Sequence, residues 1–95
     1  MLERVKEISE LLRVLANENR LAIVCHLIEK PMTVSELHEK LDHVTQPALS
    51  QHLAVLKANK ILDSNKSGLT ITYFIQDKRI INIIKELKRT YCDQY

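Results

Sequence analysis

The stretch that decides the fold is TQPALSQHLAVLK, residues 45–57. Three of its leucines recur at i, i+4 and i+7, the spacing of a helix that packs against a core: Leu49, Leu53 and Leu56. Thr45 can cap the start of this helix. Pro47 is tolerated in the first turn because the N–H there has no intrahelical acceptor. The stretch therefore predicts a helix with one buried face and one exposed face.

A shorter helix precedes this one. Thr33 and Glu36 form the T-x-x-E pattern of a capping box, so we expect a helix from Thr33 to about Leu41. Residues 42–44, DHV, then leave room only for a tight turn. Two short helices joined in this way predict a helix-turn-helix unit.

Two more helices are expected before this unit. Residues 2–16 carry apolar side chains on one stripe and charged side chains outside it. Asn17 can cap the next helix, residues 18–29, which Pro31 ends. Because this second helix is apolar nearly all round, we expect it to be central and its Cys25 to be buried.

After Lys60 the hydrophobic period changes from helical spacing to alternation. Residues 69–75, LTITYFI, read as a half-buried strand, and residues 61–66 supply its partner. Gly68, the only glycine, lies between them, where a hairpin needs positive φ. A hairpin directly after a helix-turn-helix is a wing. The expected fold is mainly α with a small β-hairpin, a winged helix-turn-helix forming one domain over residues 1–95.

A last helix is expected from about Asp77. It presents an apolar stripe made of Ile80, Ile84, Leu87 and Tyr91. This is more apolar surface than an exposed terminal helix should carry, and the first helix has a similar stripe. We therefore expect a homodimer in which the terminal helices pack against each other about a two-fold axis.

Charge is unevenly distributed along the 95 residues, although the formal total is only +2. Residues 1–43 carry six basic against eight acidic side chains, and residues 44–95 carry eight against four. The second part can therefore face a polyanion. Neither a membrane span nor a secretion signal is visible, so we expect a cytoplasmic protein without a membrane partner.

The face opposite the leucines of residues 45–57 carries Gln46, Ser50 and Gln51. Major-groove readout needs such chemistry, because glutamine pairs bidentately with adenine and serine addresses any base edge. The alternative is an ordinary solvated helix face. Nearby cations favour double-stranded DNA, since they are spaced to meet phosphates on both sides of a groove. The candidate DNA-binding residues are Thr45, Gln46, Pro47, Ser50, Gln51, His52, Lys57, Lys60 and Lys66.

The order of elements, together with specific stretches, resembles the ArsR/SmtB family of winged-helix repressors over essentially the whole chain. The matching stretches are LANENRLAIVCHL, SELHEKL, QPALSQHLAVLK, ITYFI and LKRTYC. The resemblance implies a homodimer that binds an inverted-repeat operator, usually as a repressor released by an inducer. Leu69 follows Gly68 where relatives often carry arginine.

The metal sites implied by the resemblance are vacant. The cysteine motif of metal sensors is replaced by ELHEKL, with His38 and Lys40 at the thiolate positions, and Asp77 is followed by Lys78 and Arg79 rather than histidines. His38, His43 and His52 are five and nine residues apart, unlike helical metal ligands. We expect no metal and no cofactor, and a metal-responsive repressor is kept as an alternative.

The chain has two cysteines, Cys25 and Cys92. Their positions resemble those of the BigR/HlyU-type dithiol sensors of this family, which implies that they meet across the second and last helices. The implied inducer is a reactive sulfur or oxidant species that bridges them. Otherwise Cys25 is a small core hydrophobe and Cys92 a helix-end residue.

An enzyme is not expected, because the sequence has no Gly-rich loop and no nucleophile elbow. The alternative from another class is a winged-helix protein-interaction module that lacks sequence-specific DNA binding. Salt dependence separates the two, since only phosphate contacts produce a steep loss of affinity with salt.

Overall fold

The computed structural model describes residues 1–93, which contain five α-helices and three β-strands. A short 3₁₀ turn, Leu2–Arg4, precedes the first helix. In chain order the elements are α1 (Val5–Leu15), α2 (Glu18–Glu29), β1 (Met32–Thr33), α3 (Val34–Lys40), α4 (Gln46–Ala58), β2 (Leu62–Ser67), β3 (Thr70–Ile75) and α5 (Arg79–Tyr91). The mainly helical, winged helix-turn-helix architecture is confirmed. The first helix begins three residues later than expected, and α5 begins at Arg79 rather than near Asp77.

The helix starts follow the local capping chemistry. The Asn17 side chain accepts from the backbone N–H groups of Asn19 and Arg20, both at 3.1 Å. The Thr33 hydroxyl accepts from the Glu36 backbone at 3.2 Å, and the Glu36 carboxylate accepts from the Thr33 backbone at 2.9 Å. Each capping side chain satisfies N–H groups that have no intrahelical partner. The predicted caps of α2 and α3 are confirmed.

The sheet has the strand order β1-β3-β2, with both pairs antiparallel. β2 and β3 form the predicted hairpin, and Ser67 pairs with Thr70 across a two-residue loop. Gly68, the first loop residue, has φ +61°, as a type II′ hairpin turn requires. The sequence did not predict β1, a two-residue strand in which Met32 pairs with Tyr73.

The core lies where α2, α3 and α4 meet the base of the hairpin. Leu49, Leu53 and Leu56 are fully buried, which confirms the inward face of α4. Ile23 and Val24 of α2 are fully buried as well. The prediction that Cys25 is buried is wrong, because one side of α2 is open: Leu21 is 36% exposed and Cys25 is also exposed. An all-round apolar pattern cannot show which face the rest of a small chain leaves uncovered.

The terminal helices leave much of their apolar surface open. On α1 only Leu15 is buried, while Val5 and Leu12 are about half exposed. On α5 only Ile80 is buried, and Leu87 and Tyr91 are 44% and 70% exposed. Among residues 1–93, no helix combines the length and the apolar character that crossing a membrane demands.

Candidate nucleic-acid interface and thiol groove

Helix α4 presents its uncharged polar side chains to solvent. Gln46, Ser50, Gln51 and Ala54 are all exposed. Gln51 and Ala54 lie opposite the buried leucines, and Ser50 lies at the flank of the leucine stripe. The predicted position of Gln46 is wrong, because it precedes Leu49 by three residues and so lies on the leucine side, where it is exposed in the first turn. Small and flexible polar side chains on a slim helix face can approach base edges in a major groove. We call α4 the reading helix and its exposed side chains Gln46, Ser50, Gln51 and Ala54 the reading face.

Three of the predicted DNA-binding residues either take part in the structure of α4 or are partly buried. The Thr45 hydroxyl accepts from the Ala48 backbone N–H at 3.3 Å, so its main role is to cap α4. Pro47 is exposed in the first turn of α4, and His52 is half-buried at the edge of the reading face. Of these three, only His52 is less exposed than the glutamines.

Lys57 joins the reading helix to the wing. Its Nζ donates to Ser64 Oγ of β2 at 2.9 Å, while its side chain remains exposed. Because an ammonium has three donors, this bond leaves two for a phosphate. The bond also fixes the wing relative to the end of α4, a contact that the sequence did not predict.

Lys60 forms the turn that ends α4. Its φ is +63°, the only positive φ of a non-glycine residue in the described chain. Lys60 N donates to Lys57 O at 3.0 Å and Ile61 N donates to Leu56 O at 3.1 Å, the pair of bonds of a Schellman motif. The side chain of Lys60 is exposed at the C-terminal end of α4, beside the wing.

Lys66 is exposed on β2 and pairs with Ile71, two residues before Gly68. Beyond it the hairpin ends in Leu69, whose residue surface is 100% exposed. The three interface lysines thus lie at the end of the reading helix and along the wing.

The turn between α3 and α4 is anchored at two points. Val44 is buried in the core, with 5% exposure, and His43 Nε2 lies 3.2 Å from Asn19 Oδ1 at the start of α2. The turn contains no glycine. The packing of Val44 and the contact between His43 and Asn19 hold it in place. The orientation of α4 therefore depends on both α2 and α3.

A groove of about 550 Å³ runs between α2 and α5. Both cysteines line it, Cys25 from α2 and Cys92 from the residue that follows α5. Leu21, Ile28 and Ile84 are among its apolar lining residues. The structure therefore brings the two predicted thiols into one site, and both are free and exposed rather than part of the core.

The environment of the groove raises the pKa of the Cys25 thiol above its ordinary value of 9.0. Partial burial is the main cause, followed by the negative charges of a Cys92 thiolate and of Glu29. A raised pKa lowers the fraction of Cys25 present as thiolate, and the thiolate is the nucleophilic form.

The four histidines do not converge. Within residues 1–93, no group of three or more His, Cys, Asp or Glu side chains lies together in a way that could hold a metal ion. His43 is engaged with Asn19 and His38 lies on α3.

Comparison with known proteins extends these observations. Residues 17–64 match the model of the family described as bacterial regulatory protein, arsR family. The transcriptional activator HlyU of Vibrio cholerae is 38% identical over 82 residues, which are 86% of this chain and 75% of that protein. The solved structure of the transcriptional repressor BigR from Xylella fastidiosa superposes with a TM-score of 0.91 at 30% identity, covering 97% of this chain and 93% of that one. A structure of reduced HlyU from Vibrio cholerae superposes with a TM-score of 0.84 at 35% identity, covering 97% of this chain and 99% of that one.

The matching region contains α2, α3, α4 and the start of the wing, and thus the whole reading face. The similar proteins are transcriptional regulators, not enzymes. The chain belongs to the ArsR family of bacterial regulatory proteins and is a DNA-binding transcriptional regulator with a winged helix-turn-helix.

Proposed function

We propose that the protein is a repressor that binds an inverted-repeat operator as a homodimer, with Gln46, Ser50 and Gln51 reading bases in the major groove. The observation that carries this proposal is the set of exposed, uncharged polar side chains on a helix whose leucine stripe is fully buried. The amide and hydroxyl groups of these side chains can donate to and accept from the edges of bases. Lys57, Lys60 and Lys66 would contact phosphates and set the register.

The homodimer is supported by the open apolar surface of the terminal helices. Val5, Leu12, Ile83, Leu87 and Tyr91 are each between 37% and 70% exposed. Surface of this kind on two long elements is covered most simply by the same surface of a second copy. The two reading helices would then contact half-sites about one helical turn, or a multiple of it, apart.

The DNA-binding proposal is tested by gel-shift titration against the promoter of the protein's own gene at rising salt. If the dimer makes about 6 to 8 phosphate contacts, log affinity should fall against log salt with a slope of about −5 to −7. Gln51→Ala should weaken binding to the preferred sequence by about 1 kcal/mol or more per half-site without changing this slope. A protein-interaction module would show neither a preferred sequence nor a steep slope.

We also propose that a reactive sulfur or oxidant species switches DNA binding through Cys25 and Cys92. The support is that both thiols line one groove between α2 and α5, and that a relative has been solved in a form named reduced. Because partial burial raises the pKa of the Cys25 thiol and so disfavours its thiolate, we assign the first attack to Cys92.

The chemistry of the switch balances with either class of inducer. A persulfide RSSH and two thiols would yield the Cys25–Cys92 disulfide, RSH and H₂S, and hydrogen peroxide would yield the disulfide and two waters. In both cases the two thiols lose two electrons, which the inducer accepts. The bridge closes a loop of about 67 residues, worth roughly 4 kcal/mol in the chain-entropy model.

The bridge changes DNA affinity only if it stabilises the DNA-incompetent dimer more than the DNA-competent one. A difference of about 1.4 kcal/mol between these two stabilisation energies gives a tenfold loss of affinity. Cys92→Ser should bind the promoter duplex as the wild type does and should no longer respond to polysulfide or peroxide. Cys25→Ser is the matched variant, which should form an adduct at Cys92 but no intramolecular bridge by mass spectrometry. Release of Cys92→Ser from DNA on treatment would refute the thiol switch.

A further inference from the structure

The wing ends in an apolar side chain that contacts nothing. Leu69 is 100% exposed, and Ile71, two residues along β3, is 37% exposed. A single exposed leucine is unremarkable on a protein surface. Here, however, the leucine occupies the outermost loop of a hairpin whose geometry is fixed by Gly68, at φ +61°.

The hydrogen bond between Lys57 and Ser64 locates this loop relative to the reading helix. Ser64 lies 2.9 Å from Lys57 at the end of α4, and the hairpin continues four residues further to Gly68. At about 3.3 Å per strand residue, the tip lies roughly 13 Å beyond that contact. Since the major groove is about 12 Å wide, a wing of this length that runs across the phosphates can reach the neighbouring minor groove when α4 lies in the major groove.

The charge of the wing allows its tip to lie close to the phosphates of a duplex. From Ser64 to Ile75 the sequence is SNKSGLTITYFI, in which Lys66 is the only charged residue. A duplex approaching the tip thus meets one cation and no carboxylate. Lys66 lies between the reading helix and the tip, where the phosphates flanking the groove would pass.

We propose that Leu69 is an apolar wedge that enters the minor groove beside the reading helix and favours flexible, A·T-rich steps there. The minor groove offers a degenerate hydrogen-bonding pattern, so a side chain without polar atoms can discriminate only through groove shape and ease of unstacking. Leucine is one of the side chains that proteins insert between base steps in this way. The inference rests on the proposed binding of operator DNA by α4.

The test uses a duplex of about 30 base pairs, long enough for two half-sites, that the wild type selects from a random-sequence pool. Flexible TA steps outside the half-sites are then replaced in turn by G·C steps. The wild type should lose about tenfold in affinity when the step under the wing is replaced. Leu69→Ser should bind the selected duplex about fivefold more weakly or worse, and should discriminate between the two steps by less than about twofold.

Two further variants separate the wedge from simple electrostatics. Leu69→Met keeps an apolar side chain and should retain the step preference. Lys66→Gln should keep the step preference but make the salt slope of the dimer shallower by about 2, whereas Leu69→Ser should leave the slope unchanged.

Wild-type affinity and step preference retained in Leu69→Ser would overturn the inference while leaving DNA binding by α4 intact. A wild type that selects no duplex from the pool would overturn both the inference and the proposed function.

Discussion

Lys60 occupies a backbone conformation that costs an ordinary residue energy. At φ +63° it forms the left-handed position of the Schellman motif that ends α4, where glycine is usual. The left-handed region costs an L-residue roughly 1–2 kcal/mol, and the net gain from glycine there is smaller because glycine loses more conformational freedom on folding. A lysine in this position suggests that its charge is needed there.

We therefore expect Lys60→Gly to raise the free energy of unfolding by about 0.5–1 kcal/mol and to weaken DNA binding. Lys60→Ala is the matched control, since it removes the same charge but keeps the strain. Both variants should show a shallower salt slope, and only the glycine variant should shift the urea midpoint upward. Equal midpoints for the two variants would contradict the assignment of strain to this position.

At the scale of single residues, the sequence predicted what depends on near neighbours. The caps by Asn17 and Thr33 and the turn at Gly68 each involve groups within three residues, so local pattern sufficed. The positive φ of Lys60 was missed because no glycine or asparagine marks it. The exposure of Cys25 was missed for another reason, since it depends on how far α5 extends over α2.

At the scale of elements, α3 depends on a capping box with a charged member. The pKa of the Glu36 carboxyl lies below its ordinary value of 4.5, first because it accepts the Thr33 backbone N–H and then because of the Thr33 side chain. A folded-state pKa below the unfolded value stabilises the fold above the unfolded pKa, and this contribution is lost as pH falls through the folded pKa.

Glu36→Gln is the variant that isolates this effect, because glutamine can keep the reciprocal hydrogen bond of the box without the charge. We expect it to be less stable than the wild type at pH 7 and to approach the wild type as the pH falls below the ordinary value of 4.5. Urea midpoints at neutral and acidic pH provide the measurement. A difference that stays constant down to acid pH would show that the carboxylate charge has no part in the cap.

Strand β1 could not be predicted from the sequence. Met32 and Thr33 follow Pro31 and form too short a segment for alternation to be visible. Their pairing with Tyr73 and Thr72 depends on α2 and α3 bringing the segment to the outer edge of β3. By contrast, the hairpin itself was predictable, since its alternation and its glycine lie within one continuous stretch.

At the scale of the whole molecule, the terminal helices leave apolar side chains exposed in a single chain. Leu87 on α5 is 44% exposed and Leu12 on α1 is 53% exposed, although both belong to the predicted apolar stripes. Periodicity shows that a helix has an apolar face, but it does not show whether the same chain or a second copy covers that face.

We expect Leu87→Glu to convert the protein from dimer to monomer, because a carboxylate would be desolvated between two copies. Leu69→Glu is the matched control, since it places the same charge on a fully exposed leucine outside the terminal helices. Sedimentation velocity at micromolar concentration should give a monomer for the first variant and a dimer for the second. Two identical sedimentation profiles would contradict a dimer through α5.

The central claim is that two copies of this chain hold two α4 helices at the spacing of a duplex. Native mass spectrometry of the wild type, with a selected duplex and an unrelated duplex of equal length together, tests it most directly. We expect complexes of two chains on the selected duplex and almost none on the unrelated one. Single chains on the DNA, or equal occupancy of both duplexes, would contradict the account.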